Sequence, residues 1–517
     1  MVVPNEDNMT IEGFKGLDIS AHPSLIGDKS FSILKNLEVG TNGEMSRRRG
    51  LFIMTDFRNN AGWTAGKQIV YLGGYFTDNT VMYHVITVAG VPYVSTTWQR
   101  DQFTAVSGLP AGFNCIGMVQ YNNMWYWISS TNGIYKTVTP SATPSASAVA
   151  NTPNCAAFLL FKERLWVVQV NANQFSTLSS TIQYSAPTNL DSWTATDIVK
   201  ISPGDGDVIT AMLPFSEKII VFKKTSIWAI YLQDGAIPTA ATRLVIRGRG
   251  AISTRAATII NNIMYFIAAD GIWRSDGSSF SKISQPLDPL FVHGPALYAY
   301  DQLDWIAYFD GRLHVRLSTA ASPINPYSPN LTLQGGFYYL TMDMLTGAWS
   351  EAVYPSQSTI GYLARPTLTR NQTDGAIMQV FGGFDRLWIR SEDYWIDDVA
   401  GDHSFGQPSS QPIPVTLRSK RFAVSRPSRV KRLKYAELGL DGVVSAPQYY
   451  YVVDGENRDI NDFDPASVNQ YGSFKIPGCG YFRTFEFNFT DIGADRLRID
   501  FLHFVMHTKR QLAESPR

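Results

Sequence analysis

Arg47-Arg48-Arg49-Gly50 sets three guanidinium groups in a row, and the window Val415 to Lys434 carries Arg418, Lys420, Arg421, Arg426, Arg429, Lys431, Arg432 and Lys434 without one Asp or Glu. Guanidinium forks match carboxylate and phosphate oxygens. Two kinds of chemistry are open to each cluster. One is contact with an acidic face of a neighbouring subunit or with a nucleic-acid backbone. The other is a solvated turn or strand face whose carboxylate partners lie elsewhere in the chain. Along a strand, alternation turns only about half of the second set toward one face.

Catalytic patterns are missing. There is no HExxH, no GxSxG and no GxxxxGK[ST]. Gly66-Lys67 is followed by Gln68, and Gly248-Arg-Gly250-Ala-Ile-Ser253 lacks a third glycine. The histidines at 22, 84, 293, 314, 403, 503 and 507 do not cluster. His503 and His507 on one strand would stand about 13 Å apart, too far to share a metal. Asp205-Gly-Asp207 offers calcium-type oxygens but reads more simply as a turn. Ser275-Asp276-Gly277-Ser-Ser-Phe280 approaches a sialidase Asp box with the wrong spacing, and is expected to be a hairpin turn. No catalytic residue, metal site or cofactor is expected.

Composition narrows the classes further. Lys+Arg 44 balance Asp+Glu 44 in 517 residues, so no global field draws the chain to DNA or membrane. Cys115, Cys155 and Cys479 are an odd, scattered set that suits buried thiols of a reducing cytosol. The opening MVVPNEDNMTIEGF lacks the basic and apolar regions of a signal peptide, and no run of about 18 apolar residues offers a membrane span. A soluble protein without a membrane-spanning segment is expected.

The elements that must position these residues are short strands. DVITAMLPFSEKIIVFKKTSIWAIY and TRAATIINNIMYFIAADGIWRSDG each give an apolar strand, a polar turn and a second strand led by Ile-Trp, with Asp270-Gly271 and Asp276-Gly277 as turns. Matching strand starts recur at Val91, Ile134, Ile182, Ile227, Ile272 and Leu313, a period of ~45 residues. Four antiparallel strands per period make a propeller blade, whose faces are buried by neighbouring blades. The expected fold is all-β: a β-propeller of six to eight blades, seven favoured, over residues 61–404. An extended lead-in (1–60) precedes it, packing on the propeller or a neighbouring subunit. A linker (405–414) and a separate β-sandwich (415–517) follow, the latter signalled by the alternation of Phe485, Phe487, Phe489 and Leu497, Ile499, Phe501. Trp125, Trp127, Trp166, Trp228, Trp273, Trp305 and Trp388 are expected to fill the space between sheets. TPSATPSASAVANTP (139–153) reads as an exposed loop, SPINPYSPN (322–330) as an insertion and GGFYYLTMDMLTGAWS as the outer strands of a blade.

Several strings resemble a known family. FKGLDISAHPSLIGDKSFSILKNLEVGTNGEMSRRRG is similar to the opening of β-propeller proteins of bacteriophage short tails, in which a Leu-x-Asn-x-x-Val stretch runs to Gly and then to a basic Arg-x-Gly. YSAPTNLDSWTATDIVKISPGDGDVITAMLPFSEKIIVFKKTSIWAIY and AADGIWRSDGSSFSKIS resemble the blades of the same proteins. The resemblance covers about residues 10–60 and 155–290. It implies a tail nozzle or tail hub subunit: a homohexameric ring below the portal and adaptor proteins, docking fibres or spikes, and forming part of the conduit for double-stranded DNA passing without sequence specificity. It implies residence in the virion tail after synthesis in the host cytoplasm, and no catalytic residues.

On that reading the candidate subunit- or DNA-facing contacts are Arg47, Arg48, Arg49, Arg418, Lys420, Arg421, Arg429, Lys431, Arg432 and Lys434, subunit-facing being favoured because tight DNA binding would stall release. The alternative is a carbohydrate-binding or carbohydrate-cleaving β-propeller, for which two carboxylates would have to meet on the axis. A cellular scaffold propeller is disfavoured, because the Gly-His and Trp-Asp repeat pattern is missing.

Overall fold

The computed structural model describes residues 6–510 apart from 58–66, 78–80, 100–101, 171–179, 233–239, 293–303, 320–335, 355–362, 371–376, 384, 391–395, 399–409, 424–428, 443–447, 460–470 and 492–495. The chain is almost entirely β, with one short α-helix at Pro289–Val292 and one 3-10 turn at Gln285–Leu287 among the described residues.

Five four-stranded antiparallel sheets follow in chain order. They begin at Ile69–Thr77, Cys115–Tyr121, Cys155–Phe161, Ile209–Phe215 and Ala257–Ile260, and in each the strands lie side by side in chain order. A sixth set, Trp305–Phe309, Arg312–Thr319, Gly336–Asp343 and Trp349–Ala352, has the same order but continues into an eleven-stranded sheet. The seventh takes three strands from the late chain, Thr367–Arg370, Ile377–Gly382 and Arg386–Arg390, and its fourth, Leu51–Asp56, from the lead-in. The first strands of the first six sets neighbour one another in sequence, and Thr367–Arg370 returns against Ile69–Thr77. The succession therefore closes on itself, the strand plan of a β-propeller.

A local reason for this regularity is visible at the first hairpin of four of the sets. Asn122-Asn123, Lys162-Glu163, Asn261-Asn262 and Asp310-Gly311 all have both φ values positive. That conformation matches the twist of the flanking strands in a two-residue turn, and Asn, Asp and Gly adopt it most readily. Between sheets, the cores are the expected aromatic fill. Trp125 and Trp127 join Val85 and Val94 of the first sheet, Trp166 meets Ile219 and Ile230 of the fourth, and Trp305 shares a cluster with Trp388.

Several expectations need correction. Leu313 lies in the second strand of its set, whereas Val91, Ile134, Ile182, Ile227 and Ile272 lie in the third. The insertion between Thr319 and Gly336 had displaced the alignment by one strand. The 139–153 tract is not wholly a loop: Ser147–Ala148 is the outermost strand of the second sheet, with Ala146 and Val149 buried. Within the linker, Ser410–Pro412 pairs with Ile396–Asp398, and 405–409 lies outside the described residues, as does 322–330.

The C-terminal strands are not separate from the propeller. Ser30–Lys35 of the lead-in pairs with Val415–Ser419 on one side, while Gly16–Leu17 bridges it to Trp349 on the other. Gly16 is required there: its φ is +87°, and a Cβ would stand 2.4 Å from the Trp349 carbonyl oxygen. A second sheet joins Arg429–Gly442, Tyr471–Phe482 and Leu497–Arg510 to lead-in strands Glu6–Glu12 and Met45–Arg47. The faces of the two sheets meet at Phe504, whose ring centroid lies 5.3 Å from that of Phe485 and 6.0 Å from that of Phe487. The lead-in is thus a set of strands shared among three bodies.

Candidate functional site

The lead-in, the sixth set and the C-terminal sheets converge around Asn36, and the arginine triplet folds into that joint. Asn36 adopts φ 58°, a left-handed conformation that Asn tolerates better than most residues. Its Oδ1 accepts from Arg48 Nε at 2.8 Å and from the Val353 amide at 2.6 Å, and its Nδ2 donates to the Pro414 carbonyl at 2.6 Å. One side chain therefore ties together a lead-in arginine, the end of the sixth set and the start of the C-terminal segment. Arg48 also donates to the carbonyls of Arg49 and Val353, and its guanidinium lies 4.3 Å from the Tyr354 ring centroid. Arg47 forms an ion pair with Asp491 in which both side chains are 0% exposed.

Three residues of the second basic cluster are engaged with carboxylates of the same chain. Arg418 and Arg421 both pair with Glu486, whose side chain is fully buried, and Lys420 pairs with Asp28 at 2.5 Å. Arg47 and Arg48 are therefore corrected as external contacts, because burial within their own chain removes them from any partner. Arg418, Lys420 and Arg421 are committed to internal carboxylates. Arg49 and Lys431 are half-buried. Arg432 and Lys434 are exposed, with the Arg432 guanidinium 5.8 Å from the exposed Tyr481 ring. Arg429 lies at the start of its strand, paired in register with Arg510. Among the described candidate side chains, Arg432 and Lys434 are the exposed ones.

The remaining chemical candidates resolve into structure. Asp205 pairs with the buried Lys223 Nζ at 2.7 Å, and Asp207 accepts from the amides of Lys224 and Thr225 and the hydroxyls of Thr225 and Ser226. Both carboxylates are consumed by the turn. Asp276 caps the amides of Ser278 and Ser279 in a hairpin, and those bonds hold its carboxyl far below the usual range. Burial raises the Cys115 thiol to about 12 and the Cys479 thiol to about 11, so neither is a poised nucleophile. Among the described residues no group of three or more His, Cys, Asp or Glu could hold a metal ion. His503 donates to or accepts from Thr10 Oγ1 at 2.6 Å instead. Among the described residues no helix is long and apolar enough to cross a membrane.

Sequence reasoning missed the partners: Asn36, Glu38, Arg312, Arg390, Glu486 and Asp491. A signal for two of them was present. Asn36 belongs to the Leu-x-Asn-x-x-Val stretch and Arg48 to the Arg-x-Gly that follows it, and these two residues bond to each other.

No protein family profile matches this chain, and no curated protein matches its sequence. Similar solved structures include the computationally designed Ika8 protein (14% identity, 65% of this chain and 99% of that one, TM-score 0.36). YCF48 bound to D1 peptide matches at 9% identity over 64% of this chain and 94% of that one, TM-score 0.37. The Pan2 WD40 domain of Neurospora crassa matches at 10% identity over 67% of this chain and 97% of that one, TM-score 0.39.

Proposed function

We propose that this chain is a structural ring subunit of a bacteriophage tail, a nozzle or hub component below the portal and adaptor. In this reading the seven strand sets are the blades of a seven-bladed propeller, closed by Leu51–Asp56, and the two C-terminal sheets form a β-sandwich built onto it. The observation that carries the proposal is the Asn36–Arg48 clasp. The lead-in motif that resembles phage tail proteins supplies the joint that fixes propeller and C-terminal sheets to one another.

The first strands of the seven sets, which surround the axis, read IVYLGGYFT, CIGMVQY, CAAFLLF, ITAMLPF, ATII, WIAYF and TLTR. Their one charged residue is Arg370. Such an axis suits neither a phosphate path nor a pair of axial carboxylates, which weighs against a glycosidase. DNA would instead pass through the centre of a heterologous, closed ring of subunits, hexameric by the family resemblance. Arg432 and Lys434 are the favoured neighbour contacts.

Co-purification with portal and adaptor proteins tests this. Stoichiometric incorporation into virions is expected; a chain that never enters the particle but binds a defined glycan on an array would support the carbohydrate reading instead.

A further inference from the structure

One sheet of the chain ends on two unlike edges. Glu6–Glu12, Leu497–Arg510, Arg429–Gly442 and Tyr471–Phe482 lie side by side, every neighbouring pair antiparallel. Among the described residues Glu6–Glu12 pairs with Leu497–Arg510 alone, and Tyr471–Phe482 with Arg429–Gly442 alone. Each end strand therefore turns a row of backbone N–H and C=O groups outward, a template for a further strand.

Natural sheets blunt such edges with short or charged strands, proline and bulges. The eleven-stranded sheet does so, ending on the four residues ENRD of Glu456–Asp459. Half of Tyr471–Phe482 is blunted too: Pro477 has no N–H, Gly480 has φ 79°, and the Cys479 carbonyl accepts from Arg458 Nη1 at 3.1 Å. The other half, 471–476, lies in unbroken register against 436–441. Glu6–Glu12 reads EDNMTIE, seven residues in unbroken register without Pro, Gly or Lys.

Charge decides what these edges can accept. EDNMTIE holds three acidic residues and no basic one, so two copies of that edge would set like charges against each other. YGSFKIPGCGYF holds Lys475 and no acidic residue, and the strand behind it opens RVKRLK, with Arg432 exposed. Within one chain the two edges cannot meet, since three strand spacings, about 14 Å, separate them.

We propose that Glu6–Glu12 of one copy adds antiparallel to 471–476 of the next, a step that rests on the ring of subunits proposed above. Joining unlike edges gives the heterologous interface that a closed ring requires. Rotation about the ring axis keeps each strand's sense along it. With four strands alternating in direction, the junction is then antiparallel like those within the sheet.

Electron cryo-microscopy of the chain assembled on purified portal and adaptor, with hydrogen exchange on the same complex, provides the test. Strand density at about 4.8 Å spacing is expected across the subunit boundary. Alternate amides of 6–12 and 471–476 should exchange more slowly by about tenfold or more than in the unassembled chain. A closed ring whose boundary leaves both edges apart, or exchange unchanged on assembly in both segments, overturns the strand junction and leaves the ring reading standing. A portal and adaptor complex that takes up no ring of this chain overturns both.

Discussion

Removing residues 1–57 should prevent the rest of the chain from reaching its folded state. Eleven apolar lead-in side chains are buried: Ile11, Phe14, Leu17, Ile26, Phe31, Leu34, Leu37, Val39, Met45, Leu51 and Phe57. Burying each is worth about 1.5–3 kcal/mol, and the surface they cover on the remaining chain is of similar extent. The truncated protein would still bear the full ordering entropy of its own residues while losing that coverage. Even the low end, roughly 16 kcal/mol less a reduction of up to about 40% for compact unfolded states, matches the whole stability of an ordinary domain, about 5–15 kcal/mol. The strands Arg386–Arg390, Val415–Ser419 and Leu497–Arg510 would also lose backbone partners. Near-UV circular dichroism and denaturant unfolding of residues 58–517 provide the assay. Insolubility, or secondary structure without a cooperative transition, is expected. A soluble fragment with native aromatic dichroism and a sharp transition would refute the claim that the lead-in is an integral part of all three bodies.

Other perturbations are graded. Asn36→Ala removes three hydrogen bonds at the clasp and should cost about 3 kcal/mol or more, read as a lowered denaturant midpoint. Asp491→Asn leaves the buried Arg47 charge uncompensated and should cost about 3–5 kcal/mol, while Arg47→Met combined with Asp491→Leu should recover most of that loss. Acid should destabilise the fold from pH 6.5 downward. Burial holds His84 at about 4, and burial with Arg390 holds His314 at about 3, so between those values and 6.5 the unfolded chain takes up protons that the folded one refuses. The depressed Glu38 adds a loss as pH falls below about 4.5, and His314→Gln should flatten the upper part of a midpoint-versus-pH curve. Arg432→Glu should leave the melting temperature within about 1 °C but weaken ring assembly by analytical ultracentrifugation.

The strand plan was legible because it is written locally. Alternating apolar strands and Asn, Asp and Gly turns repeat at Asn122-Asn123, Asn261-Asn262 and Asp310-Gly311, and each repeat needs only its neighbour to bury a face. Lys162-Glu163 makes the same turn without any turn residue, carried by the strands on either side. The joint was not legible, because its pairings span the chain: Arg47 with Asp491, Asn36 with Pro414, Arg390 with Glu38. Sequence shows that Arg418 and Arg421 lack an acidic neighbour, but not that Glu486, on the strand beside them, turns inward to meet both. The first part of the basic stretch, Arg418 to Arg421, therefore looked like a surface when its charges are paired within the chain. The strands that tie the C-terminal sheets to the sixth set were hidden for a related reason. They come from residues 16–35, almost four hundred positions before Val415.

Electron cryo-microscopy of the virion tail, or of the chain assembled on purified portal and adaptor, bears most directly on the proposed role. Density for six copies in a closed ring beneath the portal is predicted, with the DNA path through the ring centre and outside each propeller axis. A tail in which this chain is absent, or in which duplex threads the propeller axis itself, would contradict it.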